Sequence, residues 1–162
     1  MNLRSVWERK IIKPIVRLLK QGITPEKIAL SIAFGVTLGI FPVLGSTTIL
    51  CTIAAVTLSL NLPAIQLVNY LVYPLQILLL IPFYRAGAVL FNAKPLPLSA
   101  SQVVAMIQAD VWGAIQFLWD TTMRATVVWL IVAPLIIAAL YYVLVPAIRK
   151  LLFKSTKNVY EF

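Results

Sequence analysis

The sequence predicts an all-α integral membrane protein, and three observations lead there. From Ile28 to Tyr84 the chain runs 57 residues without a charged side chain, and from Ala125 to Ile148 it runs another 24. Runs of this kind suit the ~30 Å hydrocarbon core of a bilayer, where backbone polar groups pair within helices. The composition agrees. The chain is 61% hydrophobic and 12% charged, with a mean hydropathy of +0.94, and soluble domains carry about twice that charge fraction. The charges are also segregated. Seven of the fourteen Lys and Arg precede Ile28, four follow Ile148, and only Arg85, Lys94 and Arg124 lie between. This positive-inside pattern predicts two cytoplasmic termini and an even number of crossings. Residues 1–162 read as a single membrane domain.

Residues 3–21 predict an amphipathic helix lying on the membrane surface. Leu3, Val6, Trp7, Ile11, Ile15, Leu18 and Leu19 recur at helical spacing with basic residues between them. No short apolar core of a cleavable signal precedes Ile28, so the first span is expected to act as its own insertion signal. Thr24 is a good N-cap and Pro25 suits a first helical position, which starts a helix running to about Phe41. Ser31, Gly35 and Gly39 recur every four residues along it, a small-residue stripe expected to pack against another helix.

Pro42 and Gly45 then break the chain, with Ser46 or Thr47 placed to cap the next helix over residues 48–60. At 1.5 Å per residue that helix is roughly 20 Å long, short of a bilayer core. Residues 24–60, broken at 42–47, therefore read as a helical hairpin. It is either two true spans or a re-entrant loop, and its short arms favour the re-entrant form. Asn61-Leu62-Pro63 is a second break. A long spanning helix is expected over 64–91, kinked at Pro74 and Pro82. Gln66, Asn69, Tyr73 and Gln76 share one face of it, turned toward protein or a cavity rather than lipid.

A Pro-containing loop leads to a capping-box match at Ser99-Ala100-Ser101-Gln102. The helix over 99–120 reads as external and interfacial, with Trp112 and Trp119, and Asp120 is expected to pair with Arg124 one turn later. Residues 125–148 form the clearest span, and 149–162 a basic cytoplasmic tail.

The chemistry is narrow. There is no histidine, the single Cys51 lies in an apolar segment, and the five acids are scattered. A histidine triad, a zinc site and a carboxylate metal cluster are all absent from this pattern. No catalytic residue, metal ligand or cofactor is expected, and the chain does not read as an enzyme. The net charge of +9 is assigned to anionic headgroups at the basic termini, not to nucleic acid.

The stretch from Gly22 to Thr48 resembles a widespread family of small bacterial inner-membrane proteins known only as a domain of unknown function. The resemblance rests on Gly22-Ile-Thr-Pro-Glu-Lys-Ile-Ala, the Gly-rich helix after it, Pro42-Val-Leu-Gly45, Asn61-Leu62-Pro63 and Tyr84-Arg85-Ala86-Gly87. Many members carry Asn-Pro in the third helix, where this chain has Tyr73-Pro74; Asn69, one turn earlier, is the nearest substitute. The resemblance implies a bacterial inner-membrane protein and supplies no reaction.

Function is therefore sought at the breaks. Broken helices place helix termini within the membrane, where their partial charges can hold ions or headgroups. The candidate lining residues are Ser46, Thr47, Thr48, Asn61, Gln66, Asn69, Tyr73 and Gln76, with Arg85 as the cation of the long helix. The expected activity is transporter-like handling of a lipid or solute. The alternative is an accessory or scaffold subunit. A homo-oligomer or a membrane-protein partner suits either.

Overall fold

The computed structural model describes residues 24–95 and 100–157, and the described residues form six α-helices with no strand. The N-terminal surface helix, Ser99 of the capping box and the last five residues lie outside the described residues. The helices are α1 (Pro25–Gly39), α2 (Thr47–Thr57), α3 (Leu62–Leu71), α4 (Tyr73–Leu90), α5 (Ala100–Ala109) and α6 (Val111–Lys157). α4 and α6 are long and apolar enough to cross a membrane. The most apolar windows of these two are only 22% and 11% buried, unlike the core helices of a soluble domain.

α1 begins where the sequence places it: the Thr24 hydroxyl accepts from the Lys27 N–H at 3.3 Å, with Pro25 in the first turn. The hairpin break follows, with Gly45 at φ +84°, in the region that favours glycine. Two helix ends use non-glycine residues in that region. Ser59 (φ 51°) ends α2 and Asn92 (φ 49°) ends α4. At each, two successive N–H groups turn back onto the last helical turn, and the bonds of wider span, Leu60 to Ala55 at 2.9 Å and Ala93 to Ala88 at 2.8 Å, are the shorter of each pair.

Three boundaries differ from the sequence expectation. The expected long helix over 64–91 is two helices, α3 and α4, parted at Val72 (φ −89°, ψ 0°). Pro74 lacks the N–H that would reach the Tyr70 carbonyl, so it opens a new helix instead of kinking an old one. Pro63 likewise sits in the first turn of α3 rather than before it, and Asn61 caps that turn, accepting from the Ala64 N–H at 2.8 Å. The interfacial helix and the final span are not separate either. The break falls at Asp110, and a single helix of 47 residues follows, roughly 70 Å long, carrying Asp120, Arg124 and the expected tail as far as Lys157. Asp110 is a good residue to precede a helix, and its carboxylate occupies the space a side chain at Gly113 would need.

The packing has an inverted look. Many buried residues are small or polar, among them Ala29, Ala33, Ser31, Thr37, Thr47, Asn69 and Gln76, beside a few large ones such as Ile28, Ile65, Phe83 and Trp129. Large apolar side chains face outward, among them Leu78 (70% exposed), Val89 (81%) and Leu135 (68%). α1 is the hub. Its Ser31/Gly35/Gly39 stripe lies on α3, where a Cβ at Gly35 would sit 2.8 Å from the Ile65 carbonyl oxygen. The Ser31 hydroxyl accepts from the Asn61 N–H at 3.0 Å, which fixes the turn before α3. α1 also runs antiparallel to α6: Glu26 pairs with Arg149 at 2.6 Å near one end, and Trp129 meets Thr37 near the other.

Candidate functional site

The hairpin break at residues 40–46 leaves carbonyls that a helix cannot satisfy. The Phe41 N–H turns back to Leu38 and Pro42 has no N–H, so the Thr37 carbonyl loses its usual partner. Trp129 of α6 supplies one: its Nε1–H donates to the Thr37 oxygen at 3.0 Å, while its ring meets Phe41 edge-on at 4.8 Å. From α4, the Gln76 amide donates to the Phe41 oxygen at 2.7 Å, and the Tyr84 hydroxyl donates to the Pro42 oxygen at 3.3 Å. The Ser46 hydroxyl donates to the Val43 oxygen at 2.9 Å. Side chains from three elements thus complete the irregular backbone, as a water-poor surrounding demands.

A second polar group joins α2 to α3. Gln66 Nε2 donates to both the Thr48 carbonyl oxygen and the Thr52 hydroxyl, each at 2.9 Å. Asn69 Nδ2 lies 3.3 Å from Gln66 Oε1 and 3.5 Å from the Thr48 hydroxyl. Beside this group a recess of about 340 Å³ opens, lined by Gly45, Thr47, Thr48, Asn69, Tyr70 and Tyr73. The N-terminus of α2 borders it. Ser46 stands at the cap position but makes no capping bond: its backbone is in the helical region (φ −86°, ψ −18°) and its hydroxyl turns back to donate to the Val43 oxygen. The first N–H groups of α2, and the positive end of its dipole, are left without a side-chain cap.

The nine lining candidates therefore divide. Thr47, Thr48, Asn69 and Tyr73 meet at the recess. Gln66 braces Asn69 from behind it. Ser46 and Gln76 hold the broken backbone, and Asn61 caps α3 beside Ser31, away from the recess. Arg85 lies in a different hollow of about 580 Å³ with Tyr84 and Asn92. Sequence reasoning missed Tyr70, which follows Asn69 in the chain, and Trp129, whose role depends on a contact 92 residues distant. Among the described residues no group of His, Cys, Asp or Glu could hold a metal ion. The expected Asp120–Arg124 pair is present at 3.7 Å, on the exposed part of α6.

A family model for uncharacterized proteins conserved in bacteria (DUF2062) matches residues 8–157. The chain belongs to the DUF2062 family. The match extends beyond the motif-bearing first half of the chain and takes in α5 and α6, so the polar ladder, the break and the Trp129 helix all fall within the DUF2062 region. No curated protein and no solved structure gives a significant match.

Proposed function

We propose that this DUF2062 protein sits in the bacterial inner membrane with both termini cytoplasmic and handles a lipid headgroup or small solute at its broken hairpin. The observation that carries this reading is the recess at the uncapped N-terminus of α2. Thr48, Asn69 and Tyr73 line one small volume, bordered by a helix start whose first N–H groups have no side-chain cap. Such a cluster offers donors to a group rich in oxygen acceptors, such as a phosphate, a carboxylate or a sugar hydroxyl. The outward-facing apolar side chains favour lipid as the surrounding solvent. Glu26 pairs with Arg149 while the break meets Trp129, twenty residues along α6 and roughly 30 Å of helix rise. That distance favours a hairpin crossing the whole core over one stopping halfway.

The test is reconstitution into liposomes with a fluorescent phospholipid, whose transfer between leaflets is read by quenching from outside. Transfer by the native protein that falls sharply in Thr48→Val and Asn69→Leu supports the reading. Transfer unchanged in both variants, or no movement of lipid and of a panel of small solutes, removes it.

The second reading, an accessory subunit, has one observation of its own. Between Val111 and Arg124, α6 continues beyond its uncharged run, and Val111, Trp112, Ile115 and Trp119 are all more than half exposed there. An apolar stripe beyond a span suits a docking partner or a second copy. A stoichiometric companion retained in mild detergent, lost on Trp112→Glu and Trp119→Glu, would favour this reading.

A further inference from the structure

Arg85 is the one cation of α4, and its hollow is separate from the recess at α2, sharing only Tyr84 with the contacts that hold the broken backbone. Six of its lining residues are Ile81, Tyr84, Arg85, Val89, Asn92 and Pro95. Its character is two-ended. Arg85 and Asn92 bring a guanidinium and an amide, while Ile81, Val89 and Pro95 form an apolar wall. Among the described residues Arg85 makes no ion pair. Arg124, whose backbone packs on Gly87, is engaged with Asp120.

Its level is also defined. Gly87 packs on the backbone of Arg124 and Ala125, where a Cβ would come within 3.0 Å of main-chain atoms. Arg85, two residues earlier, therefore lies near the charged edge of the uncharged run of α6. At such an edge a bilayer presents phosphates, and below them acyl chains. The outward side chains beside the hollow, Val89 and Leu90, are 81% and 56% exposed, as a surface meeting acyl chains would be.

We infer that the Arg85–Asn92 hollow is a binding site for the phosphodiester headgroup of an anionic membrane phospholipid, whose acyl chain lies along Ile81 and Val89. The guanidinium fork matches two phosphate oxygens at once. Asn92 offers a further donor, and the apolar wall selects an amphiphile over a free anion. Tyr84 lines the hollow and also donates to the Pro42 carbonyl oxygen, so the bound lipid would stand next to the hairpin break. The site does not depend on the recess at α2, and Thr48→Val is expected to leave it intact.

The test is native mass spectrometry and equilibrium binding of the full chain in nanodiscs, titrated with phosphatidylglycerol and, separately, phosphatidylcholine. The native protein is expected to retain phosphatidylglycerol, and Arg85→Ala to bind it about tenfold more weakly or worse, since a charge-assisted pair is lost. Arg85→Lys recovers part of the affinity, because it restores charge without the fork. Asn92→Gly weakens binding less, and it keeps the backbone conformation at that position, so a loss there is not a folding defect. Equal retention of phosphatidylglycerol by the native protein and Arg85→Ala overturns the inference. So does equal affinity for phosphatidylcholine, or displacement of the lipid by inorganic phosphate at low concentration, which would make this a soluble-anion site.

Discussion

Trp129→Phe isolates the hydrogen bond that completes the hairpin break. Phenylalanine keeps an aromatic ring against Phe41 but removes the Nε1 donor from the Thr37 carbonyl. Leaving a buried acceptor unpaired costs about 1–3 kcal/mol. Trp129 is 6% exposed and packs among Ile40, Phe83, Ala125 and Ala133, so the smaller ring adds a packing loss of about 1 kcal/mol. A total of about 2–4 kcal/mol corresponds to a melting shift of roughly 4–16 °C for a chain of this size. Circular dichroism at a fixed detergent concentration measures it. Trp119→Phe is the control: Trp119 is 64% exposed on the same helix and its replacement is expected to change stability by less than about 0.5 kcal/mol. If the two variants melt together, the Trp129 bond contributes nothing to holding the break, and the account of how its carbonyls are satisfied fails.

Further outcomes follow from the same geometry. Gly35→Leu forces α1 from α3, because the Cβ alone meets the Ile65 carbonyl oxygen and Val68 at 2.8 Å; a destabilisation of about 1–3 kcal/mol or more is expected on thermal unfolding. Gly45→Ala meets no atom within 4 Å but must hold φ near +84°, so it loses about 1–2 kcal/mol, and Gly45→Asn loses less. Arg149 bonds to Glu26 and, with a local backbone hydrogen bond, holds its carboxyl below the ordinary value. Stability from a depressed carboxylate is present above its unfolded pKa and lost as pH falls through the folded one. The native melting temperature should therefore show an acid-limb step that Glu26→Gln lacks, and salt should shrink it. Cys51 is fully buried, so a small maleimide should label it only on unfolding; rapid labelling of the folded protein would mean α2 opens from α3.

Much of the hairpin was legible from local chemistry. Thr24 and Pro25 start α1 by capping rules that act within four residues, and Pro42 with Gly45 breaks the chain for reasons contained in those two side chains. The small-residue stripe named a packing face, though not its partner. The boundaries that differ are those decided by competition between local signals. Pro74 has two local outcomes, a kink or a fresh start, and the preceding Val72 takes the conformation that gives the second. Asp120 and Arg124 look like the edge of a span, yet a helix carries an i, i+4 pair without interruption, so α6 runs through them and the break goes to Asp110. Within the site, the polar face of Gln66, Asn69, Tyr73 and Gln76 was visible as a pattern. Its division into recess-lining and backbone-holding members was not, because Gln76 reaches a carbonyl 35 residues away.

The break is written early in the chain and finished late. Its exposed carbonyls appear with Thr37, Phe41 and Pro42, but their donors arrive with Gln76, Tyr84 and finally Trp129. In the membrane orientation proposed above, the first hairpin would enter an apolar medium with its tip incomplete, and only the emergence of α6 would close it. On that reading insertion is ordered by hydrogen bonds: the opening hairpin would need shelter until a tryptophan 92 residues downstream of Thr37 comes alongside.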